Sequence, residues 1–216
     1  MNQPVEMIMI LLVLTDLLLL GSSRVAGSVR LMAAQGLLLG LLPLLAHHGL
    51  GGHALVLAAG STGLKGLIFP WLLRRALRDT ETHREMEPFV GYVASLLIGL
   101  AVLGASCWLG ARLPLPGPVV SPLALPVGLF TIWVGLFLIV ARRQAITQVL
   151  GYVVMENGIF TVGVVLVQGQ PFLVELGVLL DIFVAVFVMG LLVFHISREF
   201  EHMDTEQLDA LKDWSS

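Results

Sequence analysis

Residues 142–195 read RRQAITQVLGYVVMENGIFTVGVVLVQGQPFLVELGVLLDIFVAVFVMGLLVFH. A double arginine, Arg142-Arg143, heads one long apolar run, and Gln168-Gly169-Gln170-Pro171 separates it from a second. Each run is long enough to cross the ~30 Å of bilayer hydrocarbon as an α-helix, which takes about 20 residues. Each also carries a carboxylate near its middle, Glu156 (followed by Asn157) and Asp181. A charge at membrane depth costs at least ~2.5–3.5 kcal/mol on insertion scales, so both positions are functional candidates.

The rest of the chain repeats the same texture. Of its 216 residues, 57% are hydrophobic and 12% charged, and the mean hydropathy is +0.93. Soluble domains carry about 25% charged residues, so the composition predicts an integral membrane protein. The apolar runs are continuous, without the alternation of a barrel strand, which predicts an all-α polytopic fold. Seven transmembrane helices are expected, over about 4–21, 28–46, 53–73, 88–111, 122–141, 144–167 and 172–196. Prolines fall near their ends (Pro4, Pro43, Pro70, Pro88, Pro171) and crowd the connection holding Pro114, Pro116, Pro118 and Pro122, with Pro126 just inside the next run. The N-terminus has no Lys or Arg before Arg24, so the first run reads as a retained span rather than a signal peptide.

Orientation follows from the basic residues. Arg24, Arg30, Arg74, Arg75, Arg78, Arg84, Arg142, Arg143, Arg198 and Lys212 fall on one side, and only Arg112 on the other. By the positive-inside rule the N-terminus faces outside and the C-terminus the cytoplasm. The tail after Ser197 alternates acids with Phe200, Met203, Leu208, Leu211 and Trp214, a solvated helix or a docking strip for a partner.

Beyond Glu156 and Asp181, two charges sit inside N-terminal runs. Lys65 and Asp16 lie about eight or nine residues from the basic edge, hence ~12–14 Å deep, whereas Glu156 comes out at ~20 Å. Asp16 and Lys65 could form an ion pair, or Lys65 could carry protons. Glu156 could equally be a carboxylic acid bonded to Asn157, Thr161 or a neighbouring helix. Burial favours the neutral form of a carboxyl group, which suits a site that takes up and releases protons. Glu175 and His195 lie near the two ends of the last run; His195, whose ring titrates near neutral pH, is a candidate proton exit. Gly36 and Gly40 form a GxxxG, and Gly60, Gly63 and Gly66 recur at helical spacing; both patterns allow helices to approach closely. His47, His48 and His53 read as a plain loop rather than a metal site. The lone Cys107 reads as a small buried residue, with no partner for a disulfide or cluster. The net charge of −3 gives no footprint for nucleic acid.

The stretch Arg142-Arg143-Gln-Ala-Ile-Thr-Gln-Val-Leu-Gly151-Tyr-Val-Val-Met155-Glu156-Asn157 resembles the NuoK subunit family of NADH:quinone oxidoreductases and the MrpC subunits of cation/proton antiporters. Gly151, Met155 and Asn157 fall on the family pattern. The family glutamate would land at Val153, three residues before Glu156, less than a turn away and on roughly the same face. The family's second glutamate corresponds to Asp181. Total length, span count and Lys65-Gly-x-Ile-x-Pro70-Trp71 make the whole chain similar to the hydrogenase-4 component E family, the enlarged NuoK-like subunits of group 4 [NiFe]-hydrogenase and formate hydrogenlyase complexes.

The resemblance implies a four-span N-terminal region (1–120), a NuoK-like three-span region (121–196) and an acidic cytoplasmic tail (197–216). It implies a bacterial inner-membrane subunit that binds no cofactor itself, with nickel–iron and iron–sulfur centres on partner subunits. Those partners would be antiporter-like and NuoH-like membrane subunits and peripheral hydrogenase subunits. The proton path would use Glu156 and Asp181, the positions the resemblance marks, supported by Asn157, together with Lys65, Asp16 and His195 from the reading of charges above. An antiporter subunit of MrpC type, or a purely structural subunit, are the alternatives.

Overall fold

The computed structural model describes residues 3–46, 59–60, 62–79, 89–113, 121–142, 144–166 and 190. Apart from Gly190, the expected seventh span (172–196), with Glu175, Asp181 and His195, lies outside the described residues. So do the tail, His47, His48 and His53, and Pro114, Pro116 and Pro118.

All described elements are helical: α1 Gln3–Gly21, α2 Val25–Ala46, a π-helical segment π1 Leu64–Ile68 continuing into α3 Phe69–Asp79, α4 Tyr92–Arg112, α5 Ala124–Ala141 and α6 Ala145–Leu166. Four of them (α1, most of α2, α4 and α5) are long and apolar enough to cross a membrane. Their apolar residues cover the whole circumference, as expected of helices that meet lipid on one side and protein on the other. The short α1–α2 connection, closed by Ser22 N–H donating to the Leu19 carbonyl at 3.3 Å, makes these two helices antiparallel neighbours.

Helices α1 and α2 stand at the centre. The first packs on α2, α4 and α5, the second on α6, π1 and α3, and α5 against α6 forms the most extensive interface. That last interface is built on glycine. Gly128 faces Gly158, and Gly135 faces Gly151, so a Cβ at any of the four would fall within 3 Å of the opposing helix. Gly128 and Gly135 on α5, like Gly151 and Gly158 on α6, are seven residues or two helical turns apart, so the glycines stay on one stripe and the two backbones run antiparallel in direct contact.

A second close approach brings in the third run. A Cβ on Gly36 would sit 2.7 Å from the Lys65 backbone, one on Gly40 would strike Thr62, and one on Gly66 would meet Leu37 at 2.6 Å. The GxxxG therefore seats π1, and Gly66 answers from the other side, whereas Gly60 and Gly63 meet nothing within 4 Å among the described residues. The third run also departs from expectation at Pro70. The helix passes through this proline and continues to Asp79 instead of ending near residue 73. Proline offers no N–H and its ring crowds the carbonyl four residues back; the wider π turn over Leu64–Ile68 lies where that misfit has to be absorbed.

Helix α4 is peripheral: Val93 is 74% exposed, and Leu97, Leu100 and Trp108 also face outward. Cys107 is exposed there, which corrects the expectation of a buried thiol. An outer helix presents most of its circumference to lipid or to a partner, and apolarity alone does not tell which side faces in. At helix ends Arg75 lies 5.6 Å from the Trp71 ring and Arg112 4.5 Å from the Trp108 ring, the pairing of aromatic and cation found at membrane interfaces.

The core is split in two. One cluster gathers Leu19, Leu20, Met32, Phe69, Val134 and Val154 with their neighbours. The other gathers Val5, Leu12, Leu39, Ala124 and Val127. The chain passes from one cluster to the other at Thr15-Asp16 on α1 and at Gln35 on α2, and on α5 Thr131 follows Phe130 near the same boundary.

Candidate functional site: a buried polar layer

Asp16, Gln35, Lys65, Thr131, Glu156 and Asn157 are all at most 2% exposed, and they meet in one layer between the two apolar clusters. Lys65 Nζ donates to Glu156 Oε1 at 2.5 Å, and the ammonium also lies 4.4 Å from the centre of the Phe160 ring. The π segment carries Lys65 up to α2, and Gly36, without a side chain, lets its backbone come in. The carboxylate comes from α6, where Val153, one turn earlier, is buried on the same inner side. A buried pair of this kind is held by its geometry: removing either partner strands the other charge away from water.

The second half of the layer is centred on Asp16. Gln35 Nε2 donates to Asp16 Oδ1 at 2.6 Å and to Thr15 Oγ1 at 3.1 Å. Thr131 Oγ1 donates to Asp16 Oδ2 at 2.6 Å and also lies 3.0 Å from the Val127 carbonyl oxygen. Asn157 Nδ2 reaches Gln35 Oε1 at 3.5 Å. The two halves are thus joined along the sequence at Glu156-Asn157 and across space by Gln35.

This arrangement corrects one expectation. The partner of Lys65 is Glu156, and Asp16 is held by neutral donors instead. A residue count places Lys65 several ångströms short of Glu156, but it cannot see a side chain that spans ~6 Å or the change of pitch in a π turn. Glu156 is bonded to a neighbouring element, while Thr161 Oγ1 donates to the Asn157 backbone carbonyl at 2.9 Å rather than to a carboxylate. Gln35 and Thr131 were not singled out in the sequence. Their only signal is being the polar position in an otherwise apolar run, a signal that serine and threonine give often.

Where the basic loop enters α6, Arg142 is fully buried. Its Nη2 donates to the Leu20 carbonyl near the end of α1 at 3.1 Å, and its guanidinium lies 5.1 Å from the Tyr92 ring of α4. Phe89 N–H donates to the Ala141 carbonyl at 2.9 Å. Arg142 therefore ties α1, α4 and the α5–α6 connection together below the layer.

A layer of this kind, with a carboxylate of α6 at its heart behind a buried basic loop, is where comparison with known proteins becomes informative. The family described as NADH-ubiquinone/plastoquinone oxidoreductase chain 4L matches residues 123–213. Hydrogenase-4 component E of Escherichia coli (strain K12) is 31% identical over 160 residues, 73% of each chain. The chain belongs to the hydrogenase-4 component E family. The same identity and coverage hold for hydrogenase-4 component E of Shigella flexneri. An uncharacterized protein of Mycobacterium tuberculosis is 32% identical over 206 residues, 94% of this chain and 93% of the relative. No solved structure matches. This member of the hydrogenase-4 component E family is a membrane subunit related to those of complex I, and its setting is a membrane-arm assembly.

Proposed function

We propose that the chain is a non-redox subunit of a membrane-bound hydrogenase or formate hydrogenlyase-type oxidoreductase that contributes protonatable stations to proton translocation. The observation that carries this reading is the Lys65–Glu156 pair, ionisable at both ends and 1–2% exposed inside an apolar bundle. A buried pair in a membrane helix bundle is costly to keep and is characteristic of ion pathways. Asp16, Asp181 and His195 complete the path, with Asn157 in support.

In this reading the chain holds no cofactor. Nickel–iron and iron–sulfur centres sit on peripheral hydrogenase subunits, and the immediate neighbours are antiporter-like and NuoH-like membrane subunits. The chain crosses the bacterial inner membrane seven times, N-terminus outside and C-terminus in the cytoplasm, as regions 1–120, 121–196 and 197–216. The ten-to-one bias of basic residues supports that orientation.

The test is proton uptake in inverted membrane vesicles holding the assembled complex, driven by its own electron donor. Glu156→Gln and Lys65→Met are expected to lower translocation by at least tenfold while electron transfer between artificial carriers persists. Full pumping by both variants in an assembled complex would leave the pair a structural fastener. Recovery with antiporter subunits and no redox partner would favour the antiporter alternative.

A further inference from the structure

We propose that Gln35 is a positioning residue that couples the protonation of Asp16 to the Lys65–Glu156 pair, by a paired reversal of the Gln35 and Asn157 side-chain amides. The inference deepens the proton-path reading and rests on it.

A carboxamide has a donating end and an accepting end, and its neighbours decide which way it points. Here Asp16 Oδ1 accepts, so Gln35 turns its NH2 towards it (2.6 Å) and towards Thr15 (3.1 Å). The Gln35 oxygen then faces Asn157, which must answer with its own NH2 (3.5 Å). Asn157 Oδ1 is left buried with no hydrogen-bond partner among the described residues. One carboxylate oxygen thus sets the direction of two amides in series, and the unmet acceptor of that setting falls at Asn157, next in sequence to Glu156.

A proton on Asp16 Oδ1 turns that oxygen into a donor. Gln35 matches it only after a half-turn that presents Oε1 to Asp16 and, with the Thr15 hydroxyl turning away from the Leu12 carbonyl (2.8 Å), to Thr15 as well; its NH2 then faces Asn157. Asn157 matches that only by presenting Oδ1, the atom that had no partner, while Nδ2 swings to the place Oδ1 held. Terminal torsions of Asn and Gln are broad and two-fold, so the half-turn keeps the side chains in place. The proton itself stays on Asp16; the amides pass on a change of polarity. A proton on Oδ2 is absorbed by Thr131 alone, whose hydroxyl can turn from Asp16 to the Val127 carbonyl at 3.0 Å. Thr131→Val removes that outlet and makes Oδ1 the responsive atom.

Few other charges compete. Among the described residues Asp16 faces Thr15 on its own helix, Gln35 from α2 and Thr131 from α5, all neutral. Glu156 faces Lys65 from π1, with Tyr152 one turn earlier on α6.

The experiment is an infrared pH titration of the full chain in lipid nanodiscs, following the carboxyl band that Glu156→Gln removes. Asp16→Asn is expected to move the midpoint of that band by about fivefold or more in proton concentration, the lower end of ordinary coupling between sites. In a Gln35→Leu background the same substitution is expected to leave it in place, and Asn157→Leu should break the coupling likewise. A shift of equal size with Gln35 intact and replaced overturns the proposal, as does no shift in the native background. Circular dichroism confirms that each variant retains its helices, and Thr131→Val should enlarge the native shift. Proton pumping by the same variants separates the two readings: coupling in the infrared with unimpaired pumping retains the amide switch and removes the transport role.

Discussion

Glu156 and Lys65 are each tolerable only because of the other. Removing one leaves a charge buried at 1–2% exposure, which costs about 3–5 kcal/mol, whereas replacing both with apolar residues of similar volume is near neutral or stabilising. We therefore expect Lys65→Met and Glu156→Leu to lower resistance to denaturation singly, and the double variant to regain most of the loss. Thermal unfolding of the detergent-solubilised chain checks this; strict additivity of the two losses would show that the pair is not the unit. Arg142 makes a narrower point. Its flat guanidinium both bonds the Leu20 carbonyl and lies over Tyr92, so Arg142→Lys should keep the charge yet lose about 1.5–3 kcal/mol in the same assay, the worth of a charge-assisted hydrogen bond. Asp16, Lys65 and Glu156 could be read in the sequence as buried charges, since each interrupts an apolar run. Their partnership could not, because counting residues gives depth and no azimuth. Gln35 escaped notice for another reason: an uncharged amide in a leucine-rich run is cheap enough to be unremarkable until its neighbours are known.

At the scale of elements, the glycines divide into two kinds that the sequence prints alike. Gly135 and Gly151 lie against opposing backbone, with a Cβ at Gly151 only 2.8 Å from the Gly135 carbonyl oxygen. Backbone cannot swing aside as a side chain can, so Gly151→Ala should separate α5 from α6 and cost about 1–3 kcal/mol. Gly104, whose Cβ would meet nothing within 4 Å among the described residues, is the matched control: Gly104→Ala should be neutral or slightly stabilising, as alanine favours helix. Equal effects at the two sites in thermal unfolding would count against the backbone contact. The seven-residue spacing of Gly128 with Gly135 and of Gly151 with Gly158 was present in the sequence, but among 23 glycines such coincidences are common. The π turn was less accessible still. Pro70 announced a disturbance, and its position suggested a helix end; only the helix observed over Phe69–Asp79 shows that the run continues.

For the whole molecule, fold class and membrane character followed from composition, because a run of about 20 apolar residues has few other uses. Topology is open to a direct measurement. In a Cys107→Ser background, single cysteines at Arg75 and Arg112 should react with an impermeant maleimide from opposite sides of the membrane, the first from the cytoplasm and the second from outside. Labelling of both from one side would reverse the span count between them.

The split core has an electrical meaning. Two apolar clusters flank the polar layer, so a membrane potential would fall mainly across them and less within the layer, where dipoles can turn. Carrying one elementary charge through the full potential involves about 2.3 kcal/mol per 100 mV, and each cluster takes a share of that drop. On the proposed proton path, a proton reaching Asp16 or Glu156 would therefore have done part of its electrical work already, and its occupancy there would depend on voltage as well as on pH. If the proposed transport role holds, the layer would act as an electrode set inside the membrane, its charge state a gauge of the gradient across it.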